Sequence, residues 1–455
     1  MDPEFLSRLQ FAMTSMFHFL YPPLSIGLGL MLVIIEGMYL KTKNPLYQKM
    51  AKFWAGVFSL TFALGVATGL VQVFGFGTNW ASYSRYVGDV FGSALGAEGI
   101  FAFFLESGFL GLMLFGWNRV SAKLHYFATC MVALGAHFSA IWIIVANSWM
   151  QTPAGYKIVG EGVNARAVMT DFWQMVFNPS FSDRITHVIL ACWLTGSFLV
   201  LSISAYYYLR KKHLEFARSS LRVGLVISAI VLTLQLFSGH GTARGVAFNQ
   251  PVKLAAMEGL YETQTHAPLS VFGWVDTEKQ TLTGLKIPSS LSYFIYGDMA
   301  HAVTGLNSVN QDERPPVQIV YQAFHIMVWM WSLMALVVFF GFLFWKQDRL
   351  LQSKWTLRAL IISVAFPQIA NQVGWIVAEV GRQPWIVYKL LRTSQGVSRS
   401  IGGAEVAWSI TMLLLIYILL AVLFLYLLDR KIKHGPVAGE ATIRETAEVY
   451  RNPNA

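Results

Sequence analysis

The 455-residue chain is 55% hydrophobic and 13% charged, with a mean hydropathy of +0.50. This composition excludes a soluble globular protein and predicts a helical protein that crosses the membrane many times. The net charge of +10 does not indicate a nucleic-acid partner here, because the basic residues lie in the gaps between apolar runs.

Nine apolar segments are long enough to cross a membrane, so the sequence predicts an all-α bundle of about nine transmembrane helices. They cover residues 9–35, 53–76, 95–117, 124–149, 185–209, 221–239, 317–345, 357–380 and 404–428. More than half of the 34 Lys and Arg residues fall in alternate short gaps and in the C-terminal tail. The positive-inside rule therefore places the N-terminus outside and the C-terminus in the cytoplasm.

These spans divide the chain into four parts. Residues 1–239 hold six helices, 240–316 form an external loop, 317–430 hold three helices, and 431–455 form a cytoplasmic tail. A loop as long as 240–316 exceeds what a bundle needs, and such loops are usually functional.

Few side chains within the spans can bind metal or move protons. An ionisable group at membrane depth is costly, so it marks a functional site by default. The groups of this kind within the spans are His18, Glu98, Glu106, His137, His187, His325 and Glu379. Ligand-type groups from at least five helices are expected to converge on the outer half of the membrane. In contrast, His125, His213 and His434 lie in cytoplasmic gaps, where we expect water to solvate them.

Residues 371–385 form the most informative stretch. It begins as apolar helix, carries Glu379 at membrane depth, and ends in a Gly, an Arg and a Pro that stop a helix. Arg382 lies where a guanidinium could reach a carboxylate or a propionate. The alternative is a helix that simply ends in a snorkelling Arg382.

The residue types favour haem. Imidazole is the commonest haem ligand, and imidazole paired with a thioether gives a low-spin haem. Core packing is the alternative for His18 and, more strongly, for Met327. Glu98 and Glu106 are predicted to share one helical face about 12 Å apart, which is typical of stations on a proton path.

The chain resembles subunit I of the cytochrome bd-type quinol oxidases over nearly its full length. The resemblance rests on six stretches that are specific in combination: 8–24, 98–107, 135–142, 146–153, 250–258 and 381–385. The external loop lacks the insertion of the long-loop members, so the chain resembles the short-loop subgroup. Cyanide-insensitive relatives share the same motifs.

This resemblance implies three haems and a quinol substrate. His187 and Met327 match the axial pair of a low-spin haem b. His18 and Glu379 match the ligands of two high-spin haems, one a haem b and the other a haem d or a third haem b. Arg382 is expected to pair with a propionate.

The resemblance also implies roles for residues around the haems. Glu98 and Glu106 match carboxylates near the high-spin pair, with Ser139 close to the proton route. Lys253 and Glu258 match the quinol-oxidation residues of the external loop. One departure concerns the position two before Met327, which is His325 where well-known members carry Arg.

The implied function is a terminal oxidase of the bacterial cytoplasmic membrane, which oxidises quinol outside and reduces O2 to water with cytoplasmic protons. Subunit II and a small single-helix subunit are the expected partners. An ion-coupled transporter and a haem-bearing anchor without oxygen chemistry are the alternatives. A haem–copper oxidase is disfavoured, because it needs about six in-membrane histidines and about half of the 10 histidines lie outside the spans.

Overall fold

The computed structural model describes residues 2–99, 104–347, 349–350 and 352–436. Within them the chain is a bundle of α-helices with three antiparallel two-stranded hairpins, β1–β2, β3–β4 and β5–β6. The strands are β1 (Tyr156–Val159), β2 (Arg166–Met169), β3 (Leu269–Asp276), β4 (Thr281–Ile287), β5 (Trp385–Val387) and β6 (Leu391–Arg392). The helices are α1 (Pro3–His18), α2 (Pro22–Thr42), α3 (Pro45–Thr78), α4 (Ala81–Ala97), α5 (Phe104–Phe115), α6 (Ala122–Gln151), α7 (Phe172–Val176), α8 (Phe181–Leu209), α9 (Leu214–Asn249), α10 (Pro251–Glu258), α11 (Ser290–Tyr296), α12 (Val317–Lys346), α13 (Lys354–Ile362), α14 (Ala365–Val380), α15 (Thr393–Gly396) and α16 (Gly403–His434).

The predicted helical membrane bundle is confirmed. In the described part of the chain, eight helical segments are long and apolar enough to cross a membrane, and they match eight of the nine predicted spans. The remaining span, 95–117, covers the end of α4, all of α5, and residues 100–103, which lie outside the described residues. The orientation of the termini stays a prediction, and residues 437–455 of the predicted tail are likewise outside the described chain.

Proline and capping residues determine where the first helices begin. Asp2 precedes Pro3, and its Oδ1 accepts a hydrogen bond from the amide of Glu4 over 3.0 Å. Two prolines start α2 directly after α1, where the missing amide protons would interrupt a longer helix. The break leaves His18 as the last residue of α1.

Helices α2 and α8 meet backbone to backbone in the middle of the bundle. A Cβ atom added at Gly27 would lie 2.6 Å from the amide nitrogen of Gly196, so a larger residue at either position would push the helices apart. Small residues allow this close approach in membrane proteins. Next to it, Met31, Trp54 and Phe58 are fully buried in the largest apolar cluster.

The region predicted as an external loop is folded. Helix α9 continues to Asn249, so the first ten residues of segment 240–316 are helical. The remainder forms α10, the β3–β4 hairpin and α11, which pack on α9 and α12 through buried residues such as Leu254, Leu291 and Tyr321. This unit, which we call the loop domain (residues 250–316), covers one end of the bundle.

Candidate functional site

Helix α14 lies at the centre of the site because it touches the helices that carry the candidate ligands. Its Gln372 donates a hydrogen bond to the carbonyl of Met16 on α1 over 3.0 Å, close to His18. A Cβ atom added at Gly374 would lie 3.3 Å from the sulfur of Met327 on α12. The helix therefore lies between the two predicted ligands that come from α1 and α12.

Glu379 and Arg382, which the sequence singled out, are in contact. The guanidinium of Arg382 forms an ion pair with Oε2 of Glu379. The other oxygen, Oε1, accepts hydrogen bonds from Asn147 over 2.9 Å and from Gln151 over 3.3 Å, both on α6. This carboxylate is therefore held by three donors, two from α6 and one from the turn that follows α14.

Two nitrogen atoms of the Arg382 guanidinium have no hydrogen-bond acceptor among the described residues. The residue is 3% exposed, and its Nε and Nη1 atoms have no hydrogen-bond partner among the described residues. An unpaired buried donor is costly, and a guanidinium fork suits a planar anion. The arrangement fits a haem propionate, and it disfavours the alternative of a snorkelling end residue.

The three predicted histidine and methionine ligands each lie against a glycine. A Cβ atom added at Gly69 would lie 3.1 Å from Cε1 of His18, and one added at Gly239 would lie 3.9 Å from Cε1 of His187. At Gly374 the added atom would lie 3.3 Å from the Met327 sulfur. Glycine permits close approach of a backbone to a bound group. These glycines therefore let the three side chains pack directly on the backbone of a neighbouring helix.

Hydrogen bonds also orient the two imidazoles. Nδ1 of His18 lies 3.0 Å from the hydroxyl of Thr68. The ring of His187 lies 3.2 Å from the amide nitrogen of Gln235 and 3.4 Å from the hydroxyl of Ser238, both on α9. Ligand histidines usually have such a second partner, which fixes the ring.

Lys253 of α10 joins the carboxylate site from the loop domain. Its ammonium donates to Oε1 of Gln151 over 2.6 Å and to the carbonyl of Ala378 over 3.1 Å. Burial lowers the pKa of Lys253 well below its usual value, and the positive charges of Arg184 and Arg382 add to that effect. The site thus holds a buried lysine one side chain away from Glu379.

Glu258 lies on a different face of α10. Its Oε2 accepts a hydrogen bond from the amide of Ser270 over 3.0 Å, and it is 4% exposed. Burial raises the pKa of Glu258 to about 7. The structure does not bring Glu258 and Lys253 together, because five residues of helix turn them to different neighbours.

His325 faces the loop domain. Its Nδ1 lies 2.8 Å from the carbonyl of Tyr321 and its Nε2 lies 3.1 Å from the carbonyl of Ser270. The hydroxyl of Ser270 lies 2.5 Å from that of Tyr321. His325 and Glu258 therefore share Ser270 as a neighbour.

Glu98 and Glu106 both lie beside α6. The hydroxyl of Ser139 donates to Oε1 of Glu98 over 2.7 Å. Glu106 packs on Gly135, and a Cβ atom added at Gly135 would lie 2.9 Å from the Cβ atom of Glu106. Glu98 follows the last residue of α4 and does not open a new helix. That the two carboxylates share one continuous helix stays a prediction, since residues 100–103 are outside the described chain.

The expectation that His125 is solvated is wrong. The residue is 2% exposed, its Nδ1 lies 2.6 Å from Oε1 of Glu36, and the ring of Trp117 covers it at 3.9 Å.

Asn147, Gln151 and Glu36 were not among the predicted site residues. The signal for the first two was a pair of amide side chains one helical turn apart within an apolar run.

Comparison with known proteins identifies the family. The family model for cytochrome bd terminal oxidase subunit I matches residues 6–436. The chain belongs to this family. The cytochrome bd ubiquinol oxidase subunit 1 of Bacillus subtilis (strain 168) is 39% identical and covers 94% of this chain and 93% of its own length. The cytochrome bd-II ubiquinol oxidase subunit 1 of Escherichia coli (strain K12) is 35% identical, with coverages of 95% and 97%.

A solved structure of a bd oxidase supports the same family assignment. The bd oxidase from Geobacillus thermodenitrificans matches with a TM-score of 0.88 and 30% identity, over 96% of this chain and 99% of that one. The predicted resemblance and the oxidoreductase class are confirmed. As a member of the cytochrome bd family, the chain is an integral membrane subunit that carries haem and works with a second subunit.

Proposed function

We propose that this chain is the haem-binding and quinol-oxidising subunit of a terminal oxidase that reduces O2 to water. Two quinols lose four electrons and four protons, and one O2 takes up four of each to give two waters. The observation that carries the proposal is the hydrogen-bond connection from Lys253 in the loop domain, through Gln151, to Glu379.

Quinol oxidation is assigned to the loop domain. A quinol hydroxyl must lose its proton as its electron leaves, so the site needs a base with a pKa near the working pH. Glu258 has this property because burial raises its pKa to about 7. Lys253 places a buried hydrogen-bond donor in the same region for a quinol oxygen, and burial lowers its pKa.

Three haems are assigned to the ligands in the bundle. His187 and Met327 would hold a low-spin haem b, and His18 and Glu379 would hold two high-spin haems, one a haem b and the other a haem d or a third haem b. Arg382 would pair with a propionate through its unpartnered donors. When bound, haem supplies one-electron transfer and the site where oxygen is reduced.

Protons are assigned to Glu106 and Glu98. Oxygen reduction consumes protons, and a carboxylate is the group that can carry them through an apolar bundle. Ser139 holds Glu98 in place, and both carboxylates lie along α6. The protons would come from the cytoplasm, which makes turnover electrogenic.

The location and partners follow from this function. We assign the chain to the bacterial cytoplasmic membrane with the loop domain outside, together with subunit II and a small single-helix accessory subunit. No nucleic acid is involved. A transporter is disfavoured because the polar groups gather in two separate sites and not at a midplane break between repeated halves. A haem anchor without oxygen chemistry leaves Glu98 and Glu106 unexplained.

The test compares two reductants in the purified complex. Lys253→Met and Glu258→Gln should each lower quinol-driven O2 consumption by roughly 10²-fold. Oxygen consumption with an artificial reductant that bypasses the loop domain should stay normal. Lys279→Met is the matched control, because Lys279 lies at the exposed tip of the hairpin and is 79% exposed.

Two results would contradict the proposal. Unchanged quinol-driven rates in both variants would remove Lys253 and Glu258 from the quinol site. Equal loss of both activities would mean that the substitutions disrupt the bundle and not quinol chemistry.

A further inference from the structure

The charged residues of the loop domain are unevenly distributed. Residues 267–275 and 281–296, which contain β3, β4 and α11, carry one charged side chain, Lys286. The hairpin tip between the two strands, residues 276–280, holds three. Water surrounds the tip, whereas the composition of the two flanking stretches indicates a less polar environment.

Several apolar side chains of these stretches nevertheless lie on the surface of the chain. On β3, Phe272 and Trp274 are exposed whereas Val275 is buried, as the alternation of side chains along a strand requires. An exposed apolar patch marks a contact with a partner or with lipid. The full set, which we call the apolar rim, is between 43% and 66% exposed and comprises Phe272, Trp274, Leu285, Ile287, Tyr293 and Phe294.

Hydrogen bonds to α12 give the depth of the hairpin. The amide of Val275 donates to Oε1 of Gln318 over 2.9 Å, and the indole of Trp329 donates to the carbonyl of Val271 over 3.3 Å. Helix α12 rises about 16 Å from Gln318 to Trp329. Even though helical side chains lean towards the N-terminus, Val271 lies well inside the span that the sequence predicts at 317–345.

Helix α11 reaches a similar depth along α9. The ring of Phe294 lies 4.5 Å from the ring of His240. His240 comes about 13 Å before the end of α9 at Asn249. Phe294 is therefore beside the end of the predicted span 221–239, and both parts of the apolar rim lie near the edge of the membrane.

The apolar rim is continuous with the exposed apolar surface of the spans. Trp329 and Leu333 on α12 and Phe237 on α9 are exposed next to it or below it. Lys286 lies between two rim residues on β4 and is exposed, so its long side chain can reach a lipid phosphate. Aromatic side chains together with a basic one are typical of the boundary between membrane and water.

We infer that the apolar rim is inserted into the phospholipid leaflet next to the loop domain and anchors the domain there. Its apolar side chains contact the upper parts of the acyl chains, and Lys286 contacts a phosphate. The inference goes beyond the proposed function and does not depend on which reaction the loop domain performs.

This anchoring brings lipid close to a buried carboxylate. Ser270 on β3 donates its amide proton to Glu258 over 3.0 Å. Phe272, two residues further along the same strand, is exposed and belongs to the apolar rim. Lipid is therefore separated from Glu258 by a single strand.

The experiment measures depth in the haem-loaded complex, reconstituted in vesicles of phosphatidylcholine and phosphatidylglycerol. Phe272→Cys and Phe294→Cys are each labelled with a small fluorophore, and the signal of the labelled parent complex is subtracted. One quencher is a nitroxide on the lipid acyl chain, and the other is iodide in the water. Both positions should be quenched several-fold more by the nitroxide, relative to iodide, than the tip variant Glu278→Cys.

Three control positions calibrate the assay. Glu278→Cys gives the ratio for water, because Glu278 lies at the exposed hairpin tip. Phe339→Cys on α12 and Leu415→Cys on α16 give the ratio for the membrane interior, because both residues are exposed on membrane spans. If Phe272→Cys does not assemble, Leu285→Cys is measured, since Leu285 is the cross-strand partner of Phe272.

The inference predicts ratios at the apolar rim close to those of the membrane positions. Ratios equal to that of Glu278→Cys would overturn it, because the rim would then lie in water. Weak quenching by both reagents would also overturn it, because another protein subunit would then cover the rim. Quinol-driven O2 consumption of the wild type, which tests the proposed function, is unaffected by any of these outcomes.

Discussion

A single side chain, that of Gln151, connects the ammonium of Lys253 with the carboxylate of Glu379. The Lys253 contact to Oε1 of Gln151 is 2.6 Å, and the amide nitrogen of Gln151 donates to Oε1 of Glu379 over 3.3 Å. The loop domain and the proposed haem ligand therefore share a fully buried amide. A change at one end can alter hydrogen bonding at the other.

The first prediction concerns this connection. Gln151→Leu keeps the volume of the side chain but leaves Lys253 with only the Ala378 carbonyl as acceptor and removes one of the three donors of Glu379. We expect quinol-driven O2 consumption to fall and the absorption of the high-spin haem to shift. Steady-state kinetics and an optical spectrum measure the two effects. A normal spectrum together with normal kinetics would mean that the bridge has no functional part.

The second prediction concerns the low-spin haem. Met327→Leu keeps the packing volume but removes the sulfur that we propose as a haem ligand, so the reduced low-spin band should be lost or moved. Met334→Leu on the same helix is the control, because Met334 is buried at 2% exposure and is not a proposed ligand. A low-spin band that is unchanged in Met327→Leu would remove this residue from the ligand set.

The third prediction separates two carboxylates, Glu379 of the proposed haem site and Glu258 of the loop domain. Glu379→Ala should deplete high-spin haem and spare the low-spin band, because it removes a proposed ligand and the ion-pair partner of Arg382. Glu258→Gln should leave the haem content complete. The pyridine haemochrome assay and the optical spectrum give both contents. Retention of all three haems in Glu379→Ala would contradict the assignment.

The fourth prediction concerns pH. Glu258 accepts a proton only when ionised, and burial raises its pKa from 4.5 to about 7. The quinol-driven rate should therefore rise as the pH increases through about 7 and level off above it. Glu258→Gln should lower the rate and abolish this rise, whereas Glu278→Gln in the exposed hairpin tip should keep the wild-type profile. A rise that persists in Glu258→Gln belongs to another group.

Much of the fold could be predicted because apolar span length and basic gaps are strong signals in a membrane protein. The stretch around Glu379 and Arg382 was predicted for the same reason, since a carboxylate at membrane depth stands out against apolar neighbours. The structure adds that these two residues form an ion pair. Their roles in haem binding stay a prediction.

The missed residues were hidden by boundaries and by packing. The first span was predicted to end at residue 35, one residue before Glu36, and a histidine in a basic gap is usually solvated. Neither pattern indicates that Trp117 covers His125. Gln151 is uncharged, so its part in linking Lys253 to Glu379 depends on how α6, α10 and α14 pack, which periodicity does not give.

The most direct test of the proposed function is the optical spectrum of the purified complex with quinol as the only reductant. Without oxygen, quinol should bring up the bands of both low-spin and high-spin haem, and admission of O2 should return both to the oxidised state. Haem bands that respond to a strong chemical reductant but not to quinol would contradict the account, as would the absence of any high-spin band.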